Sequence, residues 1–310
     1  MTLPKRRVII SDREDALLFF LWRHRVSTFQ TLRHIFFPTT GNETAYNRLR
    51  RLRATGYLRT EHTEKYGKPI WCLGERGFRY LETVRLSDLK TNGYRPQSRH
   101  HDLLVMAALL GDWYRLAPSK VTTVTEQELI ATEPRCIPVN LKERFTHRPD
   151  GLWINSSGKE SSAIALEVEL HDKSDSRYEE ICSFYGGFHF IENVIWILPD
   201  KALAKRLQKI AEAGAMPRKG QHIFVLLKDF EQKLWVSPLI NSSLKGKMMS
   251  DVLSEKLEKP FRNPIETPIN PHIENLHKPS TQSIISPLLN FSLSFERSKT
   301  YASLPPLPNP

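Results

Sequence analysis

Apolar residues recur at helical spacing along the first third of the chain, and in the middle third they gather into short runs. Ser11-Asp12-Arg13-Glu14 has the form of a capping box, and the apolar run from Ala16 to Trp22 continues it as a first helix. Ser27-Thr28-Phe29-Gln30 repeats the signal. It opens a short second helix with Phe29, Leu32, Ile35 and Phe36 on one face and Pro38 as its stop. Asn42 is placed to cap a third helix that ends at Gly56, and along it Ala45, Leu49 and Leu52 should face a core. Tyr57–Thr60 and Ile70–Leu73 then read as a hairpin around Tyr66-Gly67-Lys68-Pro69, followed by a helix from near Glu75 towards Leu86.

The other side of the third helix carries Thr44, Asn47, Arg48, Arg50, Arg51 and Arg53. Such a face is poor for packing and good for a DNA groove, where arginines bind phosphate or fork onto guanine and Asn47 could read adenine. A solvated arginine face is the plain alternative. The order helix, helix, helix, hairpin, helix, with "LRRLRATGYL" followed by "IWCLGERGFRYL", resembles bacterial winged helix-turn-helix proteins over residues 10–86. That resemblance implies double-stranded DNA as the partner, held by Thr44, Asn47, Arg48, Arg50, Arg51 and, at the tip of the wing, Lys68.

Residues 87–98 are polar, with Gly93 and Pro96, and read as a linker between a domain at 1–86 and a second at 99–240. In the second, a helix from Arg99 through Leu110 precedes apolar strands at Val121–Val124, Gly151–Ile154, Ala163–Leu170, Val194–Leu198 and Ile223–Leu227. Helical stretches near Ser176–Tyr185 and Lys201–Ala213 lie between them. Strands interleaved with helices predict an α/β layered domain within a multi-domain α/β chain. From Pro260 onward ten prolines and no glycine predict a disordered tail, taken as residues 255–310.

Charge sharpens the division. Residues 1–100 hold 20 Lys and Arg against 9 Asp and Glu, a net +11 that equals the net charge of the whole chain. A segregated basic domain fits a polyanion partner. No run reaches the ~20 apolar residues of a membrane span, and Met1–Ser11 lacks a signal-peptide core, so no membrane and a cytoplasmic location are expected. Cys72, Cys136 and Cys182 show no metal or disulfide spacing and should be buried as small hydrophobes. The histidines His100, His101, His147, His171 and His189 show no zinc spacing, and no phosphate-binding loop or nucleophile elbow is present.

One constellation carries chemistry. Asp150 opens a strand, and seventeen residues later Glu167 and Glu169 lie two apart on the next, where alternate residues share a face. Like charges so placed need a cation or a basic partner, and converging carboxylates suit Mg²⁺. Around these residues the chain resembles the PD-(D/E)xK nuclease superfamily. The resemblance implies Asp150 and Glu167 as metal ligands, Asp102 as an added acid from the first helix, and Glu169 in the lysine position, with Lys173 as a displaced lysine. A structural acid network, with Glu167 and Glu169 paired to Lys173 and Arg177, is the bland alternative.

Taken with "HHDLLVMAALL", "HRPDGLWI" and "ALEVELHDKSDSRYEEICSFY", the chain resembles the replication-relaxation family over about residues 10–235. That family implies a relaxosome-type accessory protein in plasmid replication, relaxation or mobilisation, with a relaxase or replication protein as partner and no cofactor. A Mg²⁺-dependent DNA endonuclease using Asp150, Glu167, Glu169 and Lys173 is the alternative, so whether the chain is an enzyme stays open. A ligand-responsive transcriptional repressor is a third reading.

Overall fold

The computed structural model describes residues 9–62, 69–85, 96, 98–111, 121–130, 146–155, 162–214 and 217–257. Lys68 and the expected wing tip, Cys136, most of the expected linker and the proline-rich tail beyond 257 lie outside them. The fold is mixed α/β, with helices and two sheets.

The first part begins with α1 (Asp12–His24), whose Glu14 carboxylate accepts the Ser11 N–H at 2.9 Å, as the capping-box pattern requires. Strand β1 (Val26–Ser27) leads into α2 (Phe29–Phe36), capped by Thr28, whose hydroxyl accepts the Thr31 N–H at 3.1 Å. Helix α3 (Asn42–Ala54) buries Ala45, Leu49 and Leu52. Its N-cap is Gly41 in extended backbone, so Asn42 is the first helical residue and not the cap expected of it. Gly56 turns the chain at φ +80°, which a side chain would resist. Strands β2 (Leu58–His62) and β3 (Pro69–Leu73) pair antiparallel, and β1 joins the other edge of β3, giving the order β1-β3-β2. Helix α4 (Glu75–Val84) closes this part.

Helix α5 (Arg99–Leu110) opens the second part. Strands β4 (Val121–Thr125), β5 (Gly151–Asn155), β6 (Ser162–Val168), β7 (Ile191–Leu198) and β8 (His222–Leu226) form one sheet in that order. A short α6 (Glu126–Ile130) follows β4. The first three strands are antiparallel. The last two run parallel because α7 (Asp175–Gly187) and α8 (Lys201–Ala213) carry the chain back across the sheet between them.

Alternate residues of β6 show how the sheet is covered. Ala163 and Ala165 face Tyr178, Ile181, Tyr185, Leu203 and Leu207 of α7 and α8. Ile164, Leu166 and Val168 face Leu104 of α5 with Phe230, Trp235 and Leu253 from the C-terminal elements. Those elements are α9 (Leu227–Lys233), a 3₁₀ turn at Leu234–Val236, a second at Ser242–Leu244 and α10 (Met249–Lys256). Helix α10 is absent from the sequence reading. Its Met249, Val252 and Leu253 are buried, so the packed structure continues past residue 240.

The two parts share one apolar cluster, continuous from Leu17 and Trp71 through α5 to Ile195 and Leu253. Arginines at the end of α1 fasten the junction. Arg23 donates to the Thr123 carbonyl at 2.7 Å and pairs with Glu128 at 2.9 Å. Arg25, buried and at φ 63°, pairs with Glu126 at 2.8 Å and Asp102 at 3.5 Å and donates to Gln127 at 3.2 Å.

Candidate nucleic-acid interface and carboxylate cluster

Helix α3 lies with one side in the core and the other in solvent because its apolar residues recur every three or four positions. Thr44, Asn47, Arg50 and Arg51 are exposed, and no ion pair involves either arginine among the described residues. Arg53 leans towards β2, its guanidinium 3.2 Å from the Thr60 hydroxyl. Arg48 departs from the expected set. Its Nε donates to the carboxylate of Glu14, itself 1% exposed, so its charge is neutralised inside the fold and braces α3 to α1. Burial alone raises the Glu14 carboxyl, but hydrogen bonds from Arg48 and Ser11 outweigh it and bring the group below its ordinary value. Tyr46, 39% exposed, stands edge-on to Phe29 and Trp71 and shields the base of the helix.

The strand register brings the carboxylates together. Gly151 pairs with Leu166, so Asp150 enters the sheet beside the C-terminal end of β6. There its N–H reaches the Leu166 carbonyl at 3.1 Å, and its Oδ2 accepts the Val168 N–H at 2.7 Å. Glu167 lies in β6 and Glu169 just past its end, where the Glu169 N–H donates to Ile197 of β7 at 2.9 Å. Both glutamates are 3% exposed, so neither sits on a solvent face.

Each acid has a partner. His101 Nε2 stands 3.2 Å from Asp150 Oδ2, and His147 Nε2 stands 2.7 Å from Glu167 Oε1. The Tyr185 hydroxyl donates to the same Glu167 oxygen. Lys173 Nζ lies 2.5 Å from Glu169 Oε1, while Arg177 pairs with Glu180 instead. Asp102 faces the junction, with Oδ1 3.5 Å from Arg25 and 3.7 Å from the His101 ring, which stands between it and Asp150.

Burial dominates the electrostatics. It raises Glu167, against hydrogen bonds from His147 and Tyr185, and it raises Glu169 to about 7 against the attraction of Lys173. The Tyr185 phenol is also pushed up, by burial and by Glu167. For His101 burial works against the charged form, yet the flanking carboxylates of Asp102 and Asp150 prevail and lift the ring to about 10. Asp150, Glu167 and Glu169 thus lie close enough for their charges to act on one another, and basic and hydroxyl groups supply their donors.

This donor set does not fit a divalent ion as it stands. Among the described residues no three His, Cys, Asp or Glu groups are arranged to hold a metal. One oxygen of each acid is taken, Asp150 Oδ2 by the Val168 N–H and Glu167 Oε1 by His147 and Tyr185, and Asp102 is turned to Arg25.

His101, His147 and Tyr185 were not singled out in the sequence as parts of this cluster. His147 precedes Asp150 by three residues and His101 adjoins Asp102, and that adjacency was the available signal. Tyr185 reaches the cluster from α7, across the sheet face, and leaves no local trace. Of the cysteines, Cys72 and Cys182 are free and buried, with thiols pushed up to about 12 chiefly by burial. No helix among the described residues is long and apolar enough to cross a membrane. Comparison with protein-family models, with curated proteins and with solved structures finds no match to this chain.

Proposed function

We propose that the chain binds double-stranded DNA through a winged helix whose recognition helix is α3. We further propose that it serves as a non-enzymatic accessory factor in plasmid replication, relaxation or mobilisation, beside a relaxase or replication protein. One observation carries the DNA reading: Thr44, Asn47, Arg50 and Arg51 stand exposed on one side of α3 while Ala45, Leu49 and Leu52 fix the other in the core. Arginines without acidic partners among the described residues, held on a rigid helix, are suited to phosphate and guanine edges. The order of α1, β1, α2, α3, β2, β3 and α4 supports the winged-helix assignment, with the wing tip at Lys68 beyond the described residues. Internal donors to one oxygen each of Asp150, Glu167 and Glu169 support a structural part for these acids in joining α5 and the loops to the sheet.

The test is a gel-shift titration of the full chain at several salt concentrations. Replacing Arg50 and Arg51 by Ala should weaken duplex binding and reduce the slope of log affinity against log salt by about 2. An unchanged slope would remove α3 from the interface.

A second reading, a Mg²⁺-dependent endonuclease of PD-(D/E)xK type, is favoured by one observation. Asp150 and Glu167 meet at the junction of the antiparallel strands β5 and β6, with α5 and α7 flanking β4, β5 and β6 in the chain. It predicts nicking of supercoiled DNA that depends on Mg²⁺ or Mn²⁺ and disappears in Asp150→Asn. Binding without nicking is the outcome expected here.

A further inference from the structure

Helix α8 carries Lys201, Lys205 and Lys209 at intervals of four residues, and all three are exposed. Residues so spaced share one helix face, so the three ammonium groups form a row along about 12 Å of helix. Lys219, also exposed, stands past the end of α8 at an open cavity of about 500 Å³ that it lines together with Gln208 and Glu212. Like charges at this spacing destabilise a helix unless a counter-charge is near. None of these lysines has a carboxylate within ion-pair distance among the described residues; the one acid on their face of α8, exposed Glu212, lies three residues past Lys209 and leaves the row a net positive charge. Several other cations of the second part are paired: Arg177 with Glu180, Lys247 with Glu255, Lys256 with Glu192, and Arg206 of α8 itself with Asp172 and Asp175, while among the described residues Lys228 and Lys245 stand singly and not in a row.

The row also has a defined start. Helix α8 follows the C-terminal end of β7, where the Ile197 carbonyl accepts the Glu169 N–H. Arg206 reaches the Lys173 carbonyl at 2.6 Å, so α8 is tied to the loop that carries the cation of the carboxylate cluster. A row of cations on a helix of thirteen residues, tied near its middle by Arg206, matches the regular anionic edge of a duplex.

We propose that Lys201, Lys205, Lys209 and Lys219 form a second contact surface for the DNA phosphate backbone, separate from α3 and carrying no sequence preference. The inference rests on the DNA-binding reading above and extends it. It places the duplex along α8 and past the rim of the carboxylate cluster, as an accessory factor presenting DNA to a partner would require. The lysines lie on the surface, so their replacement leaves the core untouched.

The test uses the full chain with all four lysines changed to Gln. A control carries Lys228, Lys233 and Lys245→Gln, which removes charge elsewhere on the same part. Duplex affinity is measured from 50 to 400 mM salt on two unrelated sequences. The expected result is a salt slope reduced by about 3–4 and binding weakened roughly tenfold or more at low salt, equally on both sequences, while the control stays within about 1 of the parent slope. A four-lysine variant with the parent slope, or a control that falls as far, overturns the second surface and leaves the α3 reading intact. Failure of the parent chain to bind any duplex overturns both.

Discussion

Arg48 shows how a side chain drawn for one task is committed to another. By residue type it belongs with Arg50 and Arg51, but on the helix it lies at the edge of the Leu52 side, and its guanidinium neutralises the buried carboxylate of Glu14. Arg48→Met should therefore lower stability by about 1–2 kcal/mol, less than a fully buried pair would cost because the arginine is partly exposed. The pH dependence fixes the sign. Glu14 titrates lower in the folded chain than in the unfolded one, so its contribution is present above the unfolded carboxylate range and is lost as pH falls through the folded value. In Arg48→Met that part of the acid dependence should shrink. Urea titrations of both proteins at pH 7 and pH 4 check this, and equal losses at both pH values would reject the pairing. The same lesson holds at Glu169, whose pairing with Lys173 four residues on was among the readings open from sequence. At Asp150 the histidine that completes the contact comes from a helix 49 residues earlier, beyond any local pattern.

Among the elements, those with strong periodicity and punctuation were legible almost to the residue. The capping pattern at Ser11, the glycine at 56 and the apolar run of residues 70–73 each act locally, so local sequence suffices to see them, whereas the second cap falls on Thr28 and not on Ser27, where the repeated pattern begins. Helix α10 was not legible, because its burial depends on α5 and the sheet, which only the tertiary fold brings to Met249 and Leu253. The convergence of Asp150 with Glu167 was suggested by spacing but hung on strand register, which the pairing of Gly151 with Leu166 decides. Helix α4 offers a test in which packing opposes propensity. Gly77→Ala would ordinarily stabilise a helix by up to about 1 kcal/mol. Here the added methyl would lie 2.3 Å from the Tyr57 carbonyl oxygen and 2.8 Å from Leu73, so a net loss of about 2 kcal/mol is expected. Thermal melting followed by circular dichroism measures it, and a raised melting temperature would show that α4 does not press on the β2 strand's entry.

For the whole molecule, the charge division seen in sequence suggests two independent units, whereas the interior is shared. One apolar cluster spans both parts, and Arg23 and Arg25 tie α1 to β4, α5 and α6. The described parts should therefore unfold together. Tryptophans report on both, with Trp22 and Trp71 in the first and Trp153 and Trp196 in the second. Fluorescence and far-ultraviolet circular dichroism should give one coincident urea transition. Two separated transitions would mean that the shared interior is too weak to couple them.

That shared interior also limits mechanics. A protein whose halves are joined by a flexible tether can adjust its grip to whatever path a ligand takes. Here the last turn of α1 is locked by buried ion pairs, so α3 and α8 keep a fixed angle to one another. If the two surfaces are out of line, a duplex that touched both would have to curve, and the elastic work of curving it would fall on the nucleic acid. Sequences with readily kinked pyrimidine–purine steps between the two contacts would then be held more tightly than stiff adenine tracts, a preference arising where no side chain meets a base.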